Sequence, residues 1–203
     1  MPRTLTDQTV EQLGGSGSIL VRQRREHEEI DRLMSRYLDA EEDLRRRERA
    51  LKQVVQLVFS HAFAEETVLW PVVRATVPDG EELTARVEEE HQQINDLVAD
   101  IERLPAGAPE REDKVRRVFS LIREDVRDEE DLLLPRLQEV TGTARLRTLG
   151  TTWAAVRRTA PTHPHPVVPR RPPGNALLGV PLSVYDRVRD ALGMGGSASR
   201  RRR

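Results

Sequence analysis

HAFAEETVLWP, His61 to Pro71, returns further along the chain as DVRDEEDLLLP, Asp125 to Pro135. The glutamate pair, a leucine and the proline recur at matching places, while Asp125 stands where His61 would fall. A second pair of segments keeps the same spacing. HEEIDRLM begins at His27 and HQQINDLV at His91, so 27 maps to 91 as 61 maps to 125. Self-similarity at a fixed period marks a duplicated unit. The first two helices then resemble the next two, and a duplicated helical hairpin gives a bundle with approximate two-fold symmetry.

Apolar residues at three- and four-residue spacing outline those helices. One is predicted over 19–38, with Leu20, Ile30, Leu33, Met34, Tyr37 and Leu38. A second runs over 43–74 on Leu51, Val54, Val55, Val58, Ala62 and Leu69, and Pro71 is expected to kink or end it. After VPDGEE (77–82), a third spans 81–104 on Leu83, Val87, Ile94, Leu97, Val98 and Ile101. After PAGAPE (105–110), a fourth spans 111–139 on Val115, Val118, Leu121, Ile122, Leu132 and Leu133. No strand pattern competes. The expected fold is all-α, an up-down-up-down four-helix bundle over 18–140.

The flanks differ. Residues 1–17 end in GGSG and read as a flexible lead. A C-terminal extension, 141–192, holds three pieces. A helix over 143–159 has Leu146, Leu149, Trp153 and Val156 on one face, with Trp153 as its anchor to the bundle. A proline-rich stretch follows over 160–175, then a short amphipathic helix over 182–192. The tail 193–203 reads as disordered, its RRRR a solvated end.

Composition excludes several classes. The chain has 203 residues, 37% hydrophobic and 33% charged, with a net charge of −1, so no overall basic field invites nucleic acid. It has no cysteine, which removes disulfides, thiolate metal sites and cysteine nucleophiles. The opening MPRTLTDQTVEQL lacks the apolar core of a signal peptide, and no run approaches the ~20 apolar residues that span a bilayer. The expectation is a soluble cytoplasmic protein without membrane contact.

Ionisable residues interrupt every apolar stripe. His27 lies between Leu20 and Ile30; His61 follows Val54 and Val58, with Glu65 one turn on. His91 sits between Val87 and Ile94; Asp125 follows Val118 and Ile122, with Glu129 one turn on. Buried unpaired charge costs several kcal/mol. A shared metal removes that cost, because imidazole and carboxylate become ligands. Spacing of i,i+4 stacks His61 with Glu65, and Asp125 with Glu129, on one helix face. Six nitrogen and oxygen donors converge, enough for two metals if the glutamates bridge. Mixed N/O ligation without sulfur suits iron or manganese better than structural zinc. Glu66 and Glu130 are expected to face outward or to support the ligands. Glu88, Glu89 and Glu90 read as a solvated face, Trp70 as packing at the bundle end, and His163 and His165 as weak metal candidates.

This arrangement resembles the hemerythrin-like, HHE-type cation-binding domains. The likeness covers about residues 18–140 and is carried by His27, HAFAEETVLWP, EEHQQI around His91, and EDVRDEEDLLLP. The resemblance implies a bundle around a non-haem diiron centre, with His27, His61, Glu65, His91 and Glu129 as iron ligands and Glu65 and Glu129 bridging. It also implies small ligands (O2, NO or hydrogen peroxide) and roles in oxidant sensing, detoxification or iron handling, catalase-like peroxide consumption included. The segment LGTTWAAVRRTAPTHPHP is similar to extensions on actinobacterial members.

Asp125 departs from the histidine usual there. Three outcomes stay open: it binds iron directly and favours the ferric state, binds through water, or leaves one iron with an open position. The rival reading is a non-enzymatic regulatory or interaction scaffold with a degraded or mononuclear site. Its contact surfaces would be the proline-rich stretch and 182–192. Neither a nucleotide-binding loop nor a nucleophilic triad is present.

Overall fold

The computed structural model describes residues 4–40 and 43–160. Among them there are helices and no strands. α1 is Ile19–Asp39, started by Ser18, whose hydroxyl accepts the Leu20 N–H. α2 is Leu44–Ala64, started by Asp43, whose carboxylate accepts the Arg46 N–H at 2.9 Å. It runs on through a π-helical turn, π1 (Glu65–Leu69), into α3 (Trp70–Thr76). α4 is Gly80–Arg103. α5 (Pro109–Asp128), π2 (Glu129–Leu133) and α6 (Leu134–Val140) form the fourth rod. The four rods make the up-down-up-down bundle. α7 (Thr143–Arg157) lies across α1, α2 and π1.

Pro71 does not end its helix; the rod continues to Thr76. In a regular α-turn the proline ring would press on the carbonyl four residues back, and no N–H would reach it. The chain instead widens the turn before the proline, and the Trp70 N–H donates to the Glu65 carbonyl five residues back. The repeat does the same before Pro135, where the Leu134 N–H donates to the Glu129 carbonyl. Such widened turns concentrate at functional sites. Each one rotates the chain less per residue, and two successive glutamates are buried in each: Glu65 and Glu66, Glu129 and Glu130.

The interior has two apolar clusters. One gathers Leu20, Leu69, Trp70, Val87, Leu133, Leu137, Leu146 and Trp153. The other gathers Ile30, Met34, Tyr37, Val54, Ile94, Val98, Val118, Phe119 and Ile122. Every rod crosses from one cluster to the other at its ionisable residue. His27 falls between Val21 and Ile30, His61 between Val54 and Ala64, His91 between Val87 and Ile94, Asp125 between Ile122 and Leu133. The bundle therefore holds a polar layer between two dry ones.

The N-terminal lead is not loose over its described part. Leu5 and Leu13 are fully buried, and the Leu5 N–H donates to the Glu130 carbonyl at 3.1 Å. Arg24 Nη1 donates to the Gln8 carbonyl at 2.6 Å. The glycines make a tight turn rather than a flexible tether: Gly14 and Gly15 take φ of 95° and 90°. The Gly15 N–H closes that turn on the Val10 carbonyl at 2.8 Å. On α7, Leu146, Leu149 and Trp153 are buried. Gly150 lets α7 approach the backbone ahead of α1, where an added methyl group would overlap the Gly17 carbonyl oxygen. The proline-rich stretch beyond residue 160, His163, His165, the segment 182–192 and the tail lie outside the described residues. No described helix is long and apolar enough to cross a membrane.

Candidate metal centre

All six residues singled out by the stripe interruptions are buried in the polar layer. Ligand-type atoms of His27, His61, Glu65 and Glu129 lie within 4.8 Å of one another, as do those of His91, Asp125 and Glu129. Glu129 is common to both groups. Glu65 spans them, with Oε1 3.1 Å from His61 Nε2 and Oε2 3.5 Å from His91 Nε2. His27 Nε2 is 3.1 Å from His61 Nε2 and 3.2 Å from Glu129 Oε2. Asp125 Oδ2 is 3.6 Å from His91 Nε2.

Each imidazole is held from behind by a carboxylate. Glu130 Oε1 is 2.7 Å from His27 Nδ1, and Glu66 Oε1 is 3.0 Å from His91 Nδ1. These two pairs are equivalent, because the shift that carries His27 to His91 carries Glu66 to Glu130. Glu26 Oε2 takes His61 Nδ1 at 2.9 Å. With a carboxylate on Nδ1, the proton of a neutral ring sits there and Nε2 is a bare lone pair. All three Nε2 atoms then face the centre.

Bare nitrogens facing each other at 3.1 Å repel unless something positive lies between them. The carboxylates pose the same problem: Glu65 Oε2, Asp125 Oδ1 and both Glu129 oxygens are buried and accept no hydrogen bond. A cation satisfies both sets at once. Three imidazoles and three carboxylates, without sulfur, fit hard or borderline metals such as iron and manganese. The residues present thus fit metal binding, the first group richer in nitrogen and the second richer in oxygen.

Without a metal, protons take up this role. Burial opposes charge on His61, but the Glu65 carboxylate and bonds from Glu26 and Glu65 lift its pKa to about 9. Burial works against Glu65 as well; the His61 charge and bond, helped by His91 and His27, still hold it at about 2. His91 is raised well above the usual imidazole value against its burial, by Asp125 and Glu66. Glu129 is driven well above the carboxylate range by burial, then by repulsion from Glu65 and Asp125.

Asp125 breaks the symmetry. Under the repeat, Glu90 is to Asp125 what Glu26 is to His61. Glu90 was expected on a solvated face; instead it is about half-buried, and its Oε2 accepts no hydrogen bond. Burial raises its carboxyl to about 7, with Asp125 and Asp128 adding repulsion. A carboxylate placed to receive a ring N–H meets another carboxylate. Glu88 is also buried, and Arg74 reaches across from α3 to bond it; Glu89 is exposed.

Sequence reasoning missed Gln23 and Glu26, while Glu66 and Glu130 take the supporting one of the two roles expected for them. Gln23 is fully buried and its amide donates to Glu65 Oε1. It sits one turn before His27, so helical spacing carried the signal. Glu26 gives no such signal, because it stands beside the inward stripe. Its carboxyl is lowered despite burial by His61, Arg157 and Trp153.

The hemerythrin HHE cation binding domain model matches residues 18–137. An uncharacterized hemerythrin-like protein of Schizosaccharomyces pombe is 21% identical over 141 residues, 69% of this chain and 70% of that protein. A DNA nickase of Nostoc sp. is 28% identical over 115 residues, 57% of this chain but only 32% of that protein. No solved structure matches the chain significantly.

Proposed function

We propose that this chain, which belongs to the hemerythrin HHE cation-binding domain family, holds a non-haem iron pair in the polar layer and meets O2, NO or hydrogen peroxide there. The observation that carries the reading is the convergence of three Nε2 atoms, each ring backed by a carboxylate at Nδ1, with buried carboxylate oxygens that accept no hydrogen bond. His27, His61, Glu65 and Glu129 would hold one iron; His91, Asp125, Glu129 and Glu65 the other. When bound, such a pair supplies an open coordination position and two-electron redox capacity.

The chain's own residues do the rest. Glu65 and Glu129 fix the spacing of the two positions from opposite sides, each anchored at the start of a π turn. Gln23 holds Glu65 by its Oε1. Glu26, Glu66 and Glu130 keep the ring protons on Nδ1 and the lone pairs inward. The apolar clusters above and below exclude bulk water, so a small neutral ligand enters more readily than an ion or an organic substrate. These features suit oxidant sensing, peroxide consumption or iron handling.

Metal content of aerobically purified protein tests this. The expected result is about two irons per chain with near-ultraviolet oxo-bridge bands, and peroxide consumption that His61→Ala abolishes. Zinc or no metal sinks the iron reading, and equal peroxide rates in the variant sink the enzymatic part.

A mononuclear scaffold is the second reading, favoured by one observation: the second group has a single histidine and Asp125 opposed by Glu90. Asp125→His separates the two. On the mononuclear reading the new ring gains Glu90 as its Nδ1 acceptor, and iron rises from about one to about two per chain. On the dinuclear reading iron content stays near two and only the absorption bands move.

A further inference from the structure

We propose that α7, which lies beyond the matched domain, is a working part of the metal centre: Trp153 and Arg157 clamp Glu26, and Glu26 sets the His61 ring. The inference rests on the metal-binding reading above and assigns the extension a task within it.

The three supporting carboxylates are not alike. Glu66 and Glu130 belong to the π turns and follow the bridging glutamates directly, so the bundle itself fixes them. Glu26 lies at the edge of α1, with its side chain 23% exposed. A glutamate there has rotamers that point into solvent, and choosing the inward one costs conformational entropy. α7 fixes that choice. The Trp153 indole N–H donates to Glu26 Oε1 at 3.3 Å, and the Arg157 guanidinium pairs with Oε2. The same Oε2 receives His61 Nδ1. Trp153, 1% exposed, also sets its ring edge-on to the His61 imidazole, with centroids 5.2 Å apart at 79°. One α7 residue therefore touches a candidate ligand and its supporting carboxylate together.

The counterpart in the second repeat shows what the clamp changes. Glu90 has Arg86 at 3.4 Å on Oε1 and nothing bonded to Oε2. Glu26, with α7 against it, has both oxygens engaged. The positioning residues are thus Glu26, Trp153 and Arg157.

The test uses the full chain, stripped and reloaded anaerobically with Fe2+ against a competing chelator. Glu26→Gln and Arg157→Gln are each expected to weaken binding of one of the two irons about 10- to 100-fold and leave the other unchanged. Trp153→Phe keeps the ring and loses the N–H, so a smaller loss is expected, and Arg157→Lys should recover part of the Arg157→Gln loss. Trp153 emission gives a readout besides affinity: iron loading should quench it in wild type, and Trp153→Phe, which keeps only Trp70, serves as the control that assigns the quench to Trp153. Circular dichroism confirms that Arg157→Gln, a partly exposed change, remains folded. Wild type that loads two irons, with variants that bind within twofold of it, overturns this inference and leaves the metal reading standing. Wild type that loads no metal overturns both.

Discussion

Replacing Glu65 with glutamine is expected to remove both metals together, whereas loss of any one histidine disturbs mainly its own position. Glu65 is fully buried, and its two oxygens face different imidazoles, His61 and His91. Glutamine keeps the shape and the Gln23 contact but offers a single neutral oxygen. The amide nitrogen it adds cannot ligate and turns hydrogens toward whichever histidine it faces. Affinity should fall about 100-fold or more for both ions, above the range typical of supporting residues. Metal analysis after gel filtration reads the result. A variant that keeps wild-type metal content would show that Glu65 serves the fold rather than the metals.

Metal removal is the second large effect, and it is one of stability. The metal-free layer leaves buried carboxylate oxygens unsatisfied on Glu65, Asp125 and Glu129. A ligand present at 100 to 1,000 times its Kd stabilises the native state by about 2.7–4.1 kcal/mol. For a chain of this size that corresponds to a fall in Tm of roughly 5–16 °C on chelation. The pH profile should change as well. In the metal-free protein His61 is raised from 6.5 to about 9, so its contribution is present below 6.5 and lost as pH rises through 9. Glu65 is lowered from 4.5 to about 2, so its contribution is present above 4.5 and lost as pH falls through 2. The two describe one attraction, strongest between about pH 4.5 and 6.5. Thermal melts should show the chelated protein weakening from pH 6.5 to 9 while the metal-loaded protein holds, since a bound ion replaces the proton. Identical melts with and without chelator would contradict a metal-dependent layer.

The repeat in the sequence determined the bundle and the residues at its centre. Helical spacing says which side chains share a face, and a charge on an apolar stripe is visible without coordinates. That logic found His27, His61, Glu65, His91, Asp125 and Glu129, since each interrupts a stripe of its own helix. It could not find what approaches from elsewhere. Glu26 is an ordinary surface glutamate on α1 until Trp153 and Arg157, more than a hundred residues on, close over it. The prolines invite a kink or a helix end, as expected at Pro71, because their local rule is steric. The π turns that absorb them owe their persistence to what they bury, two glutamates each inside a packed bundle. The glycine-rich lead read as flexible, yet Leu5 and Leu13 find a cluster to enter only once α3, α6 and α7 stand together. Periodicity is local and is written along the chain. Partnership across helices depends on which surfaces meet, and only the assembled bundle decides that.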